Sequence, residues 1–116
     1  MEKQIILDTN FLIYCAKYKI DFFSEIDRIC YFQYKLTILD KTIKELEKVK
    51  PKELKLIKIF ISKIEIIESS GNKVDDALAE YSKKGFIIAT QDKELKDKLK
   101  SEVIVIRKKK YLELKN

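Results

Sequence analysis

Acidic side chains occur at comparable points along this 116-residue sequence, each time shortly after an apolar segment. Asp8 directly follows the apolar segment 4–7, and Asp92 follows the apolar segment 86–89 after two polar residues. Two further apolar segments lie between them and are followed by acids in the same way. Carboxylates gathered in one place repel one another and are stabilised together by a cation, so this pattern favours a metal site. The acids concerned are Asp8, Asp40, Glu45, Asp75, Asp76 and Asp92.

Only a few cofactors and reaction classes fit such a cluster of acids. Oxygen ligands select hard divalent cations, so the expected cofactor is Mg²⁺ or Mn²⁺. The sequence contains no histidine, which excludes catalytic arrangements that need an imidazole base. Its two cysteines make no ordinary zinc site without histidine, and its two glycines exclude glycine-rich phosphate loops. A water activated by the metal would supply the missing nucleophile, and phosphodiester hydrolysis is the reaction class that this predicts.

Each acid also has a purely structural explanation. Asp8 and Asp92 stand where helix N-caps are expected, a position that favours aspartate. Asp75 and Asp76 fall in the first turn of a predicted helix, where the helix dipole favours negative charge. Glu45 has lysines at helical spacing on both sides and would pair with them on a solvated face. The metal hypothesis therefore depends on whether the fold brings these acids together.

The charge balance points to a polyanionic partner. Lysine and arginine total 25 against 19 aspartates and glutamates, a formal net charge of +6. Such an excess suits nucleic acid or an anionic membrane surface, although a lysine-rich composition of the thermophile kind is an equal alternative. Lys41 and Lys44, in a lysine run across two predicted helices, are candidates for RNA binding. So are Arg107 and Lys108, next to an aromatic residue, Tyr111, of a kind that stacks on bases. The alternatives are a solvated helix face and a disordered tail.

Periodicity and turn residues predict strands that alternate with helices. The predicted strands are 4–7, 36–39, 64–67, 86–89 and 103–106. The predicted helices are 9–17, 22–30, 41–49, 73–84 and 92–100, with one more from Pro51 to about residue 63 and a loop at 69–72. Apolar strands that alternate with helices indicate an α/β fold, a three-layer α/β/α sandwich around a parallel sheet of about five strands. We expect one domain over 1–116, in which 107–116 is a basic C-terminal tail.

Such a sheet would place the acids together, because ligands bind outside the carboxyl ends of parallel strands.

The composition suits a globular domain, with 46% hydrophobic and 38% charged residues. No apolar run approaches the roughly 18 residues of a membrane span, and we expect no secretory signal and no membrane partner. Two cysteines without a disulfide framework fit a reducing compartment. We therefore expect a cytoplasmic protein.

The sequence resembles the PIN-domain ribonucleases over roughly residues 5–106. The resemblance is carried by two apolar residues followed by Asp-Thr-Asn at 6–10, by Glu-Leu at 45–46, by Val-Asp-Asp-Ala-Leu at 74–78 and by Ala-Thr-Gln-Asp at 89–92. It implies a metal-dependent endoribonuclease. The acidic metal and catalytic positions that it implies are Asp8, Glu45, Asp76 and Asp92, with Asn10 and Thr90 as supporting groups that orient the acids. The register of the Asp-Ala-Leu motif favours Asp76 over Asp75, which is kept as a supporting residue.

The same resemblance implies partners as well as chemistry. The substrate would be RNA, homodimers are frequent in the family, and its VapC toxin branch is controlled by an antitoxin. The doublet Asp75-Asp76 is more similar to the ribosomal-RNA-processing branch, which implies a ribosome-assembly partner instead. A noncatalytic α/β module for signalling or RNA binding is a further alternative, because such modules also carry aspartates at strand ends. It would leave Glu45 and Asp92 without a role.

Overall fold

The sheet is built from strands that are buried on both faces. The computed structural model describes residues 2–69 and 73–116, so most of the predicted loop 69–72 lies outside the described residues. Within these ranges, six strands form one sheet in the order β3-β2-β1-β4-β5-β6. The strands are β1 Lys3–Leu7, β2 Tyr34–Leu39, β3 Glu65–Ile67, β4 Ile87–Ala89, β5 Val103–Arg107 and β6 Tyr111–Lys115. Strands β1 to β5 are parallel and β6 is antiparallel to β5, so the predicted parallel sheet is confirmed.

Helices cover both faces of this sheet, as predicted for a three-layer sandwich. One face packs Ile5 and Leu7 of β1 against apolar side chains of the first four helices, such as Phe11 and Phe22. The other face packs the intervening residue of β1, Ile6, against the last two helices. This alternation follows from the two-residue period of a strand. The helices are α1 Thr9–Lys17, α2 Phe22–Ile29, α3 Asp40–Val49, α4 Leu54–Ile61, α5 Val74–Lys83 and α6 Lys93–Lys98.

The C-terminal segment differs from the prediction. Residues 107–116 were expected to form a basic tail, but Tyr111–Lys115 is strand β6, which raises the strand number from about five to six. Leu112 is almost fully buried and belongs to the core, so the segment has an apolar anchor. The backbone of this segment also forms hydrogen bonds with side chains of α2. The Leu112 N–H donates to Glu25 Oε1 at 2.9 Å, and Arg28 donates to the Leu112 carbonyl at 3.0 Å. The ion pair between Glu25 and Arg28 thus occupies the outer edge of β6.

No helix in the described part of the chain is both long and apolar enough to cross a membrane.

Candidate metal centre

Asp8 is the buried acid at the end of the central strand β1. Its carboxylate is 5% exposed, and it N-caps α1 by accepting the Thr9 N–H on Oδ1 at 2.8 Å. Oδ2 accepts a hydrogen bond of 2.8 Å from the Thr90 hydroxyl. The pKa of Asp8 is raised to about 6, chiefly by burial and to a smaller extent by the negative charges of Asp75 and Glu45, against the opposing effect of its two hydrogen bonds. The structural explanation as an N-cap is therefore correct but incomplete, because capping alone does not require a buried carboxylate beside two other acids.

Thr90, at the end of β4, ties the acids of two strands together. This fully buried residue donates to Asp8 and accepts from the Asp92 N–H at 3.1 Å. Asp92 in turn N-caps α6 by accepting the Leu95 N–H on Oδ1 at 3.2 Å. Asn10 Oδ1 accepts the Gln91 N–H at 3.2 Å and lies 3.4 Å from the Thr90 hydroxyl. Asn10 and Thr90 thus link the ends of β1 and β4 through hydrogen bonds, and their role as supporting groups of a metal site stays a prediction.

Glu45, on α3, lies in the same cleft as Asp8 and Asp92. The Thr9 hydroxyl donates a short hydrogen bond to Glu45 Oε1, and the Thr42 hydroxyl lies 3.3 Å from the Thr9 hydroxyl. Both threonines are buried. Sequence reasoning assigned no role to either side chain. The available signals were that Thr9 directly follows Asp8 and that Thr42 precedes Glu45 by three residues, which places the two on one helix face.

The acids line one cleft of about 220 Å³ at the carboxyl edge of the sheet. Asp75 is one of the described residues that line this cleft, and Asp76 is not. Asp76 lines an adjoining cleft together with Lys73 and Lys98, and Glu45 and Asp75 line that cleft as well. The reason is the rotation of α5. Asp75 lies three residues before the fully buried Leu78, so the two share the helix face that is turned toward the sheet. The residues of the cleft are Asp8, Thr9, Asn10, Ile13, Glu45, Val74, Asp75 and Asp92.

The donor set suits a hard divalent cation that keeps much of its water. Within residues 2–69 and 73–116, no three acidic or cysteine side chains lie close enough to hold an ion directly. Mg²⁺ usually takes one or two carboxylates and retains several waters. A cleft of about 220 Å³ has room for such a hydrated ion, since a water occupies about 30 Å³ in the liquid. Burial, and to a smaller extent repulsion from Asp75 and Glu45, raises the pKa of Asp8, and a bound cation would relieve that repulsion.

Asp40 belongs to a different arrangement, although it too follows a strand. Its Oδ1 accepts from the Ser69 hydroxyl at 2.7 Å, from the Ser69 N–H at 3.0 Å and from the Lys41 N–H at 2.8 Å. These hydrogen bonds lower the pKa of Asp40, the Ser69 hydroxyl contributing most, and the Lys44 charge adds to the effect. Asp40 therefore anchors the chain beyond β3 and is not a member of the acidic cleft.

The predicted RNA-binding residues fall in two separate places. Lys41 and Lys44 lie in the first half of α3, on the helix that carries Glu45. Arg107 ends β5, with its guanidinium 3.4 Å from Glu113 of β6. Lys108 begins the turn that follows and has a φ of 52°. Their role in RNA binding stays a prediction.

Comparison with known proteins agrees with this geometry. The family described as PIN-like domain matches residues 5–110. Ribonuclease VapC4 of Methanocaldococcus jannaschii is 38% identical over an alignment that covers 96% of this chain and 95% of that protein. The chain therefore belongs to the PIN-like domain family, as its motifs led us to expect.

Two solved structures share the fold. The PIN domain endonuclease Utp24 superposes with a TM-score of 0.81 at 23% identity, covering 96% of this chain and 90% of that one. The VapBC2 complex of Rickettsia felis, bound to a DNA fragment from its promoter, superposes with a TM-score of 0.61 at 17% identity, covering 86% of this chain and 98% of that one. At these identities the likeness concerns the fold alone.

Proposed function

We propose that this protein is a metal-dependent endoribonuclease that hydrolyses RNA phosphodiester bonds at the acidic cleft. The observation that carries the proposal is the convergence of four carboxylates, from β1, α3, α5 and the β4–α6 junction, on one cleft of about 220 Å³. A structural role for each acid alone gives no reason for them to meet. The ribonuclease name of the relative at 38% identity supports the same activity.

Asp8, Glu45, Asp75 and Asp92 would surround a hydrated cation and hold it in large part through its waters, since no three of these side chains lie close enough to bind it directly. We expect Mg²⁺ or Mn²⁺, because all the donors are carboxylate oxygens. A bound divalent cation supplies a Lewis acid for the phosphodiester and lowers the pKa of water. The threonines of the site would hold these carboxylates in place through hydrogen bonds. Hydrogen bonds from Thr90 and from the Thr9 backbone stabilise the ionised form of Asp8. The Thr9 hydroxyl orients Glu45.

The composition of the cleft is our basis for choosing between the adjacent acids. The motif register favours Asp76, whereas the composition of the cleft supports Asp75. We therefore assign the ligand role to Asp75. Asp76 would not bind the cation and would face the adjoining cleft, where Lys73 and Lys98 supply opposite charge.

A small antitoxin protein is the partner that we propose for this nuclease. The support is the VapC name of the relative at 38% identity, together with the fold shared with a VapBC complex. A homodimer stays a prediction from the family resemblance, and so does a role in ribosomal-RNA processing with a ribosome-assembly partner.

The direct test is cleavage of single-stranded RNA with Mg²⁺ or Mn²⁺. We expect the parent protein to cut, EDTA to stop cleavage, and Asp8→Asn to reduce the rate by at least 100-fold. Glu80→Gln makes the same carboxylate-to-amide change on an exposed residue outside the cleft and should leave the rate unchanged. Equal rates for Asp8→Asn and the parent would remove Asp8 from the mechanism and contradict the proposal.

A further inference from the structure

A second groove, of about 550 Å³, lies between α6 and the strands β5 and β6. We name it the α6 groove. Three lysines line it, Lys93, Lys96 and Lys115, and among its described lining residues Asp97 has the single acidic side chain. The function proposed above assigns no role to this groove, and the basic residues singled out from the sequence do not line it.

The three lysines of the α6 groove form no ion pair with the described part of the protein. Across residues 2–69 and 73–116, none of the three lysines has a carboxylate oxygen within 4.0 Å of its ammonium group. Partial burial lowers the pKa of Lys96, and the charges of Arg107, Lys115 and Lys93 lower it further, while Asp92 opposes them. Cations that crowd one another in a groove favour an anionic ligand, because only such a ligand relieves their repulsion.

The α6 groove adjoins the acidic cleft through Gln91 and the start of α6. Gln91 lines the groove, and its N–H donates to Asn10, which lines the cleft. Its Oε1 accepts the Ile106 N–H at 2.7 Å, which fixes the side chain against β5. Lys93 directly follows the cleft residue Asp92. A polyanion that reaches the acids can therefore continue into the α6 groove without leaving the surface.

We propose that the α6 groove binds backbone phosphates of the RNA strand on one side of the phosphodiester that is cut. This inference rests on the proposed nuclease function and adds the path of the substrate to it. Lysines act as point charges on phosphate and read no base, so the groove would position RNA without selecting a sequence. The mixed polar lining, with Leu99 and Val103 as its large apolar residues, offers little surface for an apolar protein segment.

Binding of RNA without metal tests the α6 groove separately from cleavage. The probe is a fluorescent single-stranded RNA in EDTA, measured by anisotropy from low to moderate salt. The test variant is Lys96→Gln with Lys115→Gln. The control is Lys19→Gln with Lys63→Gln, which removes the same charge from two exposed lysines outside the groove.

We expect the test pair to weaken binding about tenfold or more at 0.1 M salt. It should also reduce the slope of log Kd against log salt by about 1.4, since each phosphate contact to a single strand contributes about 0.7. The control pair should change Kd less than twofold. Equal losses in the two pairs would mean a general charge effect and would overturn the proposal, as would no loss in the test pair.

Two further measurements complete the test. With Mn²⁺, the test pair should raise KM for a long RNA several-fold more than KM for a dinucleotide, because the longer strand extends further into the α6 groove. If the parent cuts no RNA, the proposed function fails, while the binding comparison still decides whether the groove takes a polyanion. If the test pair loses affinity for polyglutamate but keeps its affinity for RNA, the groove serves an acidic protein segment, and the RNA path is overturned.

Discussion

The Thr90 hydroxyl donates a 2.8 Å hydrogen bond to Asp8 Oδ2 across 82 residues of sequence, and both side chains are buried. The same hydroxyl accepts from the backbone of Asp92. The single oxygen of Thr90 thus orients the Asp8 carboxylate after β1 and fixes the backbone of Asp92, where α6 begins. The acidic cleft therefore depends on a neutral side chain as much as on its carboxylates.

Replacing Thr90 with valine keeps the shape of the side chain and removes this link. The Asp92 N–H loses its acceptor and Asp8 loses a donor, so we expect activity to fall about 10- to 100-fold, the usual cost of losing a group that orients a metal ligand. Thr90→Ser retains the hydroxyl and should recover most of the activity. Steady-state cleavage rates at saturating Mn²⁺ measure both. A serine variant as slow as the valine variant would show that packing at this position matters and the hydroxyl does not.

Asp75 and Asp76 make a matched pair, because they are adjacent and both exposed. Asp75→Asn should lower cleavage at least tenfold and weaken Mn²⁺ binding, since Asp75 shares the cleft with Asp8. Asp76→Asn should change both by no more than about twofold. Calorimetric titration with Mn²⁺ and RNA cleavage provide the two measurements. The opposite ranking would return the ligand role to the residue that the motif register favours.

The raised pKa of Asp8 makes the metal-free fold sensitive to pH. Its pKa is about 6 in the folded protein against an ordinary 3.8, so the folded chain binds more protons than the unfolded chain between these values. The free energy of unfolding should therefore be highest below pH 4 as far as this group is concerned, and decrease as pH rises to about 6. The loss amounts to about 2 to 3 kcal/mol.

Asp8→Asn should remove that loss. Asparagine still caps α1 and carries no charge, so the metal-free variant should be more stable than the parent by about 1 to 3 kcal/mol at pH 7.5 and similar to it near pH 4. Urea unfolding in EDTA at the two pH values measures the difference. Glu80→Gln is the exposed control and should change stability by less than about 0.5 kcal/mol. A variant that is less stable than the parent at pH 7.5 would contradict the unfavourable burial of this charge.

The turn between β5 and β6 carries backbone strain. Lys108 and Lys109 have φ values of 52° and 56°, a region that favours glycine and asparagine. Lys109 also lies over the Tyr18 ring at 5.4 Å, so Lys108 is the better position to change. Lys108→Asn should stabilise the fold by up to about 1 kcal/mol, measured as the urea midpoint. Lys110→Asn removes the same charge at a residue without positive φ, and an equal gain there would assign the effect to charge.

Strand β6 shows what a local sequence pattern can and cannot predict. The alternation of Leu112 and Leu114 with polar residues is present in the sequence, but a basic segment at the end of a chain has the same composition whether or not it pairs. What makes it a strand is its contact with β5 and with Glu25 and Arg28 of α2, more than 80 residues away. No local propensity contains that information.

The choice between Asp75 and Asp76 has a similar origin. Both acids suit the first turn of α5, and neighbouring residues on a helix point about 100° apart. Which of them faces Asp8 depends on how Leu78 and Ala77 pack against the sheet. The hydrogen bond of Thr9 to Glu45 likewise exists only because α3 lies beside the start of α1.

The order of strands and helices, and the presence of acids where strands end, were determined by the sequence itself, because burial on both faces and helical period are properties of short stretches of chain. The tertiary structure alone decided which acids share a cleft, which hydroxyls hold them, and which lysines share the α6 groove. These depend on packing between segments that are distant in the chain, where a rotation of one helix by one residue exchanges one carboxylate for its neighbour.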